Sequence, residues 1–230
     1  STEKMQQRLE AIIKATDPMD NSFMNAARVK VYRQRVTEVK NPAEFLAVQF
    51  QLIEELLRAG DNAAALSEMG KLEEFTKTNG SLVSSKNRGL IRMLQAMAYL
   101  RQGEQDNCLL NHNADSCLFP VQGGGVHRDQ GGSRAAIGVL MGHLDRSLGD
   151  LKAQWLLNVA HMTVGEYPDK VPAKWLIDPK YLASEYDLKR FPDIADKVGL
   201  SRYGLAGGSI AEDFDGDGYL DLMVSSWDLR

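Results

Sequence analysis

The chain has 230 residues, 43% apolar and 25% charged, with a net charge of −4. That composition supports a hydrophobic core and excludes bulk disorder, and no apolar run approaches the roughly 18–20 residues of a membrane-crossing helix. With 27 Lys and Arg against 31 Asp and Glu, charge gives no ground for nucleic-acid binding, and neither G-x-x-x-x-G-K-[ST] nor G-x-G-x-x-G marks a nucleotide loop.

Residues from about 2 to 102 read as helices. Phe45, Val48, Leu52, Ile53 and Leu56 form a helical stripe over Pro42–Leu57, with Asn41 as N-cap and Pro42 in the first turn. A second helix is expected over Asn62–Phe75 on Leu66, Met69, Leu72 and Phe75, with Gly60-Asp61 as the turn between them. The same turn pattern recurs at Leu100-Arg101-Gln102-Gly103-Glu104 and Met162-Thr163-Val164-Gly165-Glu166. In each, a glycine is placed to end a helix in the left-handed cap conformation and an acid follows it. The glycines are 43 and 62 residues apart. A tetratricopeptide unit is about 34 residues long, so the longer gap suggests one unit interrupted by an insertion over 104–131. The fold expected for 1–165 is therefore mainly α, a tetratricopeptide-like antiparallel helical array. Trp155 and the Met93–Met97 stretch are expected in its core.

The insertion holds Cys108, His112, Cys117 and His127. The cysteines read either as free thiols or as a disulfide; the disulfide is preferred and would stabilise by about 2–3 kcal/mol. The spacing C-x3-H-x4-C-x9-H fits no standard zinc finger. His112 and His127 read either as unligated or as a site for Cu, Fe or Zn. Gly123-Gly124-Gly125 and Gly131-Gly132 permit close backbone approach, to a ligand or to the helical layer. His143 and His161 fall on predicted helices and read as core or surface histidines, and no G-x-S-x-G elbow supports a Ser-His-Asp triad.

After Gly165 the composition changes. Pro168, Pro172, Pro179 and Pro192 punctuate 166–192, which reads as a linker that wraps or spans, with a short helix near Tyr181–Lys189. From Gly204 onward there are six acids against Arg230 alone, a local charge of −5, while the remainder of the chain carries +1. Within that stretch Asp213-Phe214-Asp215-Gly216-Asp217-Gly218-Tyr219-Leu220-Asp221 places carboxylates at positions 1, 3, 5 and 9, a glycine at the sharp turn and the Tyr219 carbonyl at position 7. Hard oxygen donors in this order suit calcium, and mutual repulsion makes a cation-free cluster unfavourable. Position 12 is Val224, so the loop lacks the bidentate Glu of an EF-hand. Ile210-Ala211 before it and Tyr219–Val224 after it read as strands.

Phe191-Pro192-Asp193-Ile194-Ala195, Gly199-Leu200, Gly207-Gly208, the acidic loop and Asp221-Leu222 together resemble the opening of an FG-GAP/VCBS repeat. That resemblance implies a β-propeller blade over 193–230, with calcium held by Asp213, Asp215, Asp217, the Tyr219 carbonyl and Asp221. Asn107-Cys108, Asn111-His112-Asn113, Ser116-Cys117-Leu118-Phe119-Pro120 and Gly123–His127 resemble bacterial proteins related to the cartilage acidic protein (ASPIC/UnbV) family, which join tetratricopeptide-like helices to such repeats. A propeller needs several blades, so the chain is expected to be the N-terminal portion of a longer polypeptide, or to be completed by a partner. The start Ser1-Thr2-Glu3-Lys4 fits a mature exported protein or a trimmed one.

The functional expectation is an exported (periplasmic, cell-surface or extracellular) calcium-binding scaffold for protein interaction, with no nucleic-acid partner. The alternative is an enzyme using a transition metal at His112 and His127 beside the Gly-rich loop. A third reading is a subunit of a larger assembly that pairs its open strands with a partner.

Overall fold

The computed structural model describes residues 2–111, 113, 115–116, 118–186, 189, 191–201 and 206–226. They form two compact units, Asn25–Arg190 and a second built from Ser1–Met24 with Phe191–Arg230. Seven α-helices are present among the described residues: α1 (Thr2–Ala15), α2 (Asn25–Glu38), α3 (Pro42–Arg58), α4 (Asn62–Thr78), α5 (Ser85–Asn111), α6 (Gly131–Leu144) and α7 (Leu151–Thr163). The strands β1 (Ala206–Glu212) and β2 (Asp221–Ser226) form one antiparallel pair. The fold is mainly helical, and from α2 to α7 each helix packs on its neighbours in the chain.

The α3–α4 hairpin follows its sequence signals closely. Asn41 Oδ1 accepts from the N–H groups of Ala43 at 2.8 Å and Glu44 at 3.4 Å, which satisfies donors that the first helical turn leaves open. At the other end Gly60 takes φ +79°. Its N–H donates to Leu57 O and that of Asp61 to Leu56 O, so the glycine closes α3 with the paired bonds of a Schellman cap. Asp61 then caps α4 through Ala64 N–H at 3.1 Å. Gly165 repeats the device at the end of α7, with φ +71° and bonds from Gly165 N–H to Met162 O and from Glu166 N–H to His161 O.

Gly103 does not. The expected turn at Leu100–Glu104 is absent, because α5 runs unbroken from Ser85 to Asn111 and takes in the first residues of the expected insertion. Gly103 serves packing instead. A Cβ built on Gly132 of α6 would lie 2.5 Å from Tyr99 O and 2.7 Å from Gly103 N, so the two helix backbones touch where both residues lack side chains. A missing side chain serves close approach as well as it serves a left-handed turn, and the local sequence pattern is the same for both.

Two layers of core follow. Leu52, Ile53, Leu56, Met69 and Leu72 are buried between α3 and α4, each contributing about 1.5–3 kcal/mol of burial. Ala96, Ala136, Leu140, Ala153, Leu157 and Ala160 join α5, α6 and α7 in one cluster, where small residues let the helices approach. Glu55 is fully buried and stitches α3 to α2: it meets Arg28 Nε at 2.9 Å, Asn25 Nδ2 at 2.8 Å and Arg58 Nη1 at 3.1 Å. Trp155, expected in the core, is 37% exposed and packs its ring on Phe119 at 5.5 Å. Met97 is also exposed.

Over its first part the proline-punctuated stretch wraps along α7. Trp175 O accepts from Gln154 Nε2 at 3.1 Å and Asn158 Nδ2 at 2.8 Å, and Ile177 N–H donates to Asn158 Oδ1 at 3.0 Å. Val171 and Trp175 are buried. Buried Asn158 thus returns the chain along α7 and makes 166–177 part of the helical core. Instead of the short helix expected near Tyr181–Lys189, there is a 3-10 turn at Pro179–Tyr181 capped by Asp178, and 182–186 is not helical. Asp187 and Leu188 lie outside the described residues.

The glycine contact between α5 and α6 separates two otherwise equal substitutions. Gly132→Ala must push two backbones apart and is expected to lower the urea-unfolding stability by about 1–3 kcal/mol. Exposed Gly138, on the same helix with nothing within 4 Å of its would-be Cβ, is expected to gain about 0.5–1 kcal/mol as alanine. Equal effects in the two unfolding curves would show that the close approach does not limit packing.

Candidate functional site

Two places carry chemistry, one in each unit. The first is the acidic loop between β1 and β2. Pairing of Glu212 with Asp221, Ala211 with Leu222, Ile210 with Met223 and Ser209 with Val224 sets the loop as residues 213–220. Its turn is wound around Asp213: Oδ1 accepts from Gly216 N–H at 2.7 Å and Asp217 N–H at 3.1 Å, and Oδ2 from Gly218 N–H at 2.9 Å. Gly216 and Gly218 sit at φ +78° and +89°, conformations that other residues adopt only under strain. Asp221 Oδ2 accepts from Phe214 N–H at 3.1 Å, tying the two ends together.

The result is a cluster in which Asp213, Asp215 and Asp221 each offer an oxygen, all within 4.8 Å of one another. Oxygens sharing one calcium at about 2.3–2.6 Å lie no more than roughly 5 Å apart, so the set fits that ion. Asp217, expected to join them, is not in the group; its Oδ1 accepts from Tyr219 N–H at 2.8 Å. Among the described residues no Lys, Arg or His pairs with these carboxylates. A carboxylate offers about four acceptor positions. Asp213 spends three of them on the loop's own amides, and Asp215 spends one, on Asp217 N–H.

The second place is a cavity of about 300 Å3 where α5, the chain over 119–127 and α7 meet. Leu100, Phe119, Val126, Leu156 and Val159 give it apolar walls, and buried His127 and Thr163 bring polar atoms to it. The loop carrying His127 is fixed from both sides. Buried Asn107 donates from Nδ2 to Gly103 O at 2.7 Å and Asp129 O at 2.8 Å, and its Oδ1 accepts from Arg128 N–H at 2.7 Å and Asp129 N–H at 2.9 Å. From α7, Thr163 O accepts the His127 N–H at 2.8 Å. His127 Nδ1 lies 3.1 Å from Ser133 Oγ, which is 2.8 Å from Thr163 Oγ1. Burial pushes the His127 imidazole below its usual pKa, against the pull of Glu104, so the neutral ring is favoured.

The Gly-rich segment forms a 3-10 turn over Gly123–Gly125. It packs on the preceding loop: a Cβ on Gly124 would meet Asn113 Oδ1 at 2.8 Å, and one on Gly125 would meet Asp115 O at 2.5 Å. His112 and Cys117 lie outside the described residues, so the expected pairing of Cys108 with Cys117 and of His112 with His127 fall there too. Among the described residues no metal-ligating group of three includes His127. Cys108 is half-buried and borders the cavity. His143 and His161 are buried in the helical unit. His143 Nε2 is 2.9 Å from Asp150 Oδ2, and Asp150 also caps α7 by accepting from Lys152 and Ala153 N–H. Both His161 ring nitrogens are buried without a hydrogen bond, with Nδ1 3.7 Å from Glu166 Oε2.

Sequence reasoning named His127 but missed Ser133 and Thr163. The latter stands 30 residues from Ser133, and hydroxyls in helices carry no pattern that announces such a link. Compared with known protein families, with curated proteins and with solved structures, the chain matches none.

The buried histidines set how the helical unit responds to acid. Burial lowers the pKa of both His127 and His161; Glu104 opposes this at the first, while at the second Glu166 opposes it and Arg134 adds to it. The unfolded chain then takes up these protons first, so stability is full above the usual imidazole value of about 6.5 and falls as pH drops below it. The slope is at most about 1.4 kcal/mol per pH unit for each histidine. Asp150 is held low chiefly by its bond to His143, so its contribution survives until pH falls below about 3.8. Urea midpoints measured from pH 8 to 5 should decline, and His161→Leu should flatten the decline.

Proposed function

We propose that the chain is an exported calcium-binding scaffold protein. In this reading the loop 213–221 holds one calcium ion that ties two strands of a propeller-type blade together, and the helices present a tetratricopeptide-like surface to a protein partner. The observation that carries it is the convergence of Asp213, Asp215 and Asp221 within 4.8 Å on one hairpin loop. Three carboxylates that close repel strongly unless a cation joins them. Asp217 and the Tyr219 carbonyl, which the FG-GAP/VCBS resemblance adds, would complete the oxygen shell that a hard cation of this size requires. The ion's role is structural, neutralising the loop and holding its ends.

The hairpin also supports the blade reading. Ile210, Leu222, Met223 and Val224 are all exposed, and the two strands pair only with each other among the described residues. A two-stranded pair is marginal alone, so further strands, from the same polypeptide or a partner, would cover these side chains. Export rests on reading Cys108 and Cys117 as a disulfide, together with the resemblance.

Calcium titration by calorimetry tests the reading. Asp215→Ala and Asp221→Ala should weaken binding at least tenfold, while Asp217→Ala should weaken it less. Asp213→Ala should abolish binding and loosen the turn even without metal, because it removes the acceptor of three amides. Magnesium should bind far more weakly than calcium. Calcium affinity indifferent to Asp215 and Asp221 would overturn the proposal.

A further inference from the structure

We propose that the cavity bounded by α5, residues 119–127 and α7 binds a small, uncharged, largely apolar molecule bearing one N–H or O–H donor, which is received by Nε2 of His127. This site is separate from the acidic loop and does not depend on calcium.

The direction of a hydrogen-bond chain carries the inference. Val164, whose N–H would reach Ala160 O if α7 continued, caps Met162 O instead. Ala160 O is left to accept the Thr163 O–H at 2.9 Å. A threonine hydroxyl has one proton. Thr163 Oγ1 stands within donating distance of both Ala160 O and Ser133 Oγ; with its one proton given to the carbonyl, which can only accept, the Ser133 O–H is left to point at Thr163 Oγ1 and His127 Nδ1–H at Ser133 Oγ. In the neutral ring that burial favours, this order puts the proton on Nδ1 and leaves Nε2 an acceptor. Nε2 has no hydrogen-bond partner among the described residues, yet it is not among the buried atoms lacking one. It therefore has open space beside it, on the side of the apolar cavity or of the opening toward Asn113, Asp115 and Arg128, both of which His127 borders.

The rest of the cavity fits the same ligand. Its volume of about 300 Å3 sits at the small end of the roughly 300–1,000 Å3 typical of ligand pockets. Its deep walls are aliphatic and aromatic. Among the described residues the charged side chains on the lining, Arg101 and Glu104, are both exposed and opposite in sign, so the described walls offer no counter-charge to an ionic ligand. Asn107 satisfies all four of its hydrogen bonds on the loop and helix, so the His127 acceptor is held in place before any ligand arrives.

Indole and indene, equal in shape and differing in the N–H, are the probes. Titrated into the 15N-labelled chain, indole should saturate and shift the amides of Leu100, Val126, His127 and Val159. Indene should shift the same amides with roughly tenfold weaker affinity, the worth of one good hydrogen bond. His127→Phe should erase the preference for indole, and Leu156→Trp should abolish binding of both by filling the cavity. If either variant fails to fold, the shift map and the indole-to-indene ratio of the unaltered chain decide. Absence of saturable binding, shifts mapping elsewhere, or equal affinity for the two probes would overturn the proposal.

Discussion

The helical unit depends on one contact that involves no side chain. Gly103 and Gly132 let α5 and α6 meet backbone to backbone, and that meeting brings Ser133 beside His127. Ser133 follows Gly132, so its hydroxyl is delivered against Gly103, where an added Cβ would lie 3.3 Å from Ser133 Oγ and 3.5 Å from His127 Nδ1. One turn along α5, Asn107 holds Arg128 and Asp129. Larger residues at 103 or 132 would separate the helices, and the histidine, its serine and the cavity would lose their common frame.

The acidic hairpin obeys a different constraint. Its strands bury little, and its conformation is set by polar bonds within the loop and by charge. Asp213 organises the turn by collecting three amides, two from glycines at positive φ and one from Asp217. That leaves Asp215 and Asp221 with most of their acceptor capacity unspent, facing the same small space. The loop's shape thus rests on its own amide bonds, and in the proposed reading a calcium ion would supply the missing positive charge. In the helical unit a polar chain is fully satisfied except at one nitrogen; in the hairpin a cluster of carboxylates is satisfied except for its charge.

Much of this was legible in the sequence, and the failures have physical causes. The α3–α4 hairpin was readable because capping and periodicity are local: Asn41, Pro42, Gly60 and Asp61 act within a few residues of where they stand. The acidic hairpin was readable for the same reason, and within it Asp217 Oδ1 accepts the Tyr219 N–H while Asp213, Asp215 and Asp221 form the converging group. Gly103 was misread because a glycine used for helix contact looks like a glycine used for a cap until its partner 29 residues away is known. The stretch 166–177 read as a linker that wraps or spans because prolines mark turns, but what attaches it was not legible, since that depends on Asn158, a polar residue buried in α7 that periodicity treats as surface. The proton position proposed for His127 follows from Ser133 on α6 and from Ala160 and Thr163 on α7, and no local pattern encodes it.

The central claim is that the hairpin loop is a calcium site whose ion acts locally. Amide spectra of the 15N-labelled chain recorded with EDTA and then with 1 mM calcium test it most directly. The account predicts large shifts confined to residues about 212–222, with the amides of α2 to α7 unmoved. Spectra that coincide in the loop, or that change in the helices and not in the loop, would contradict it.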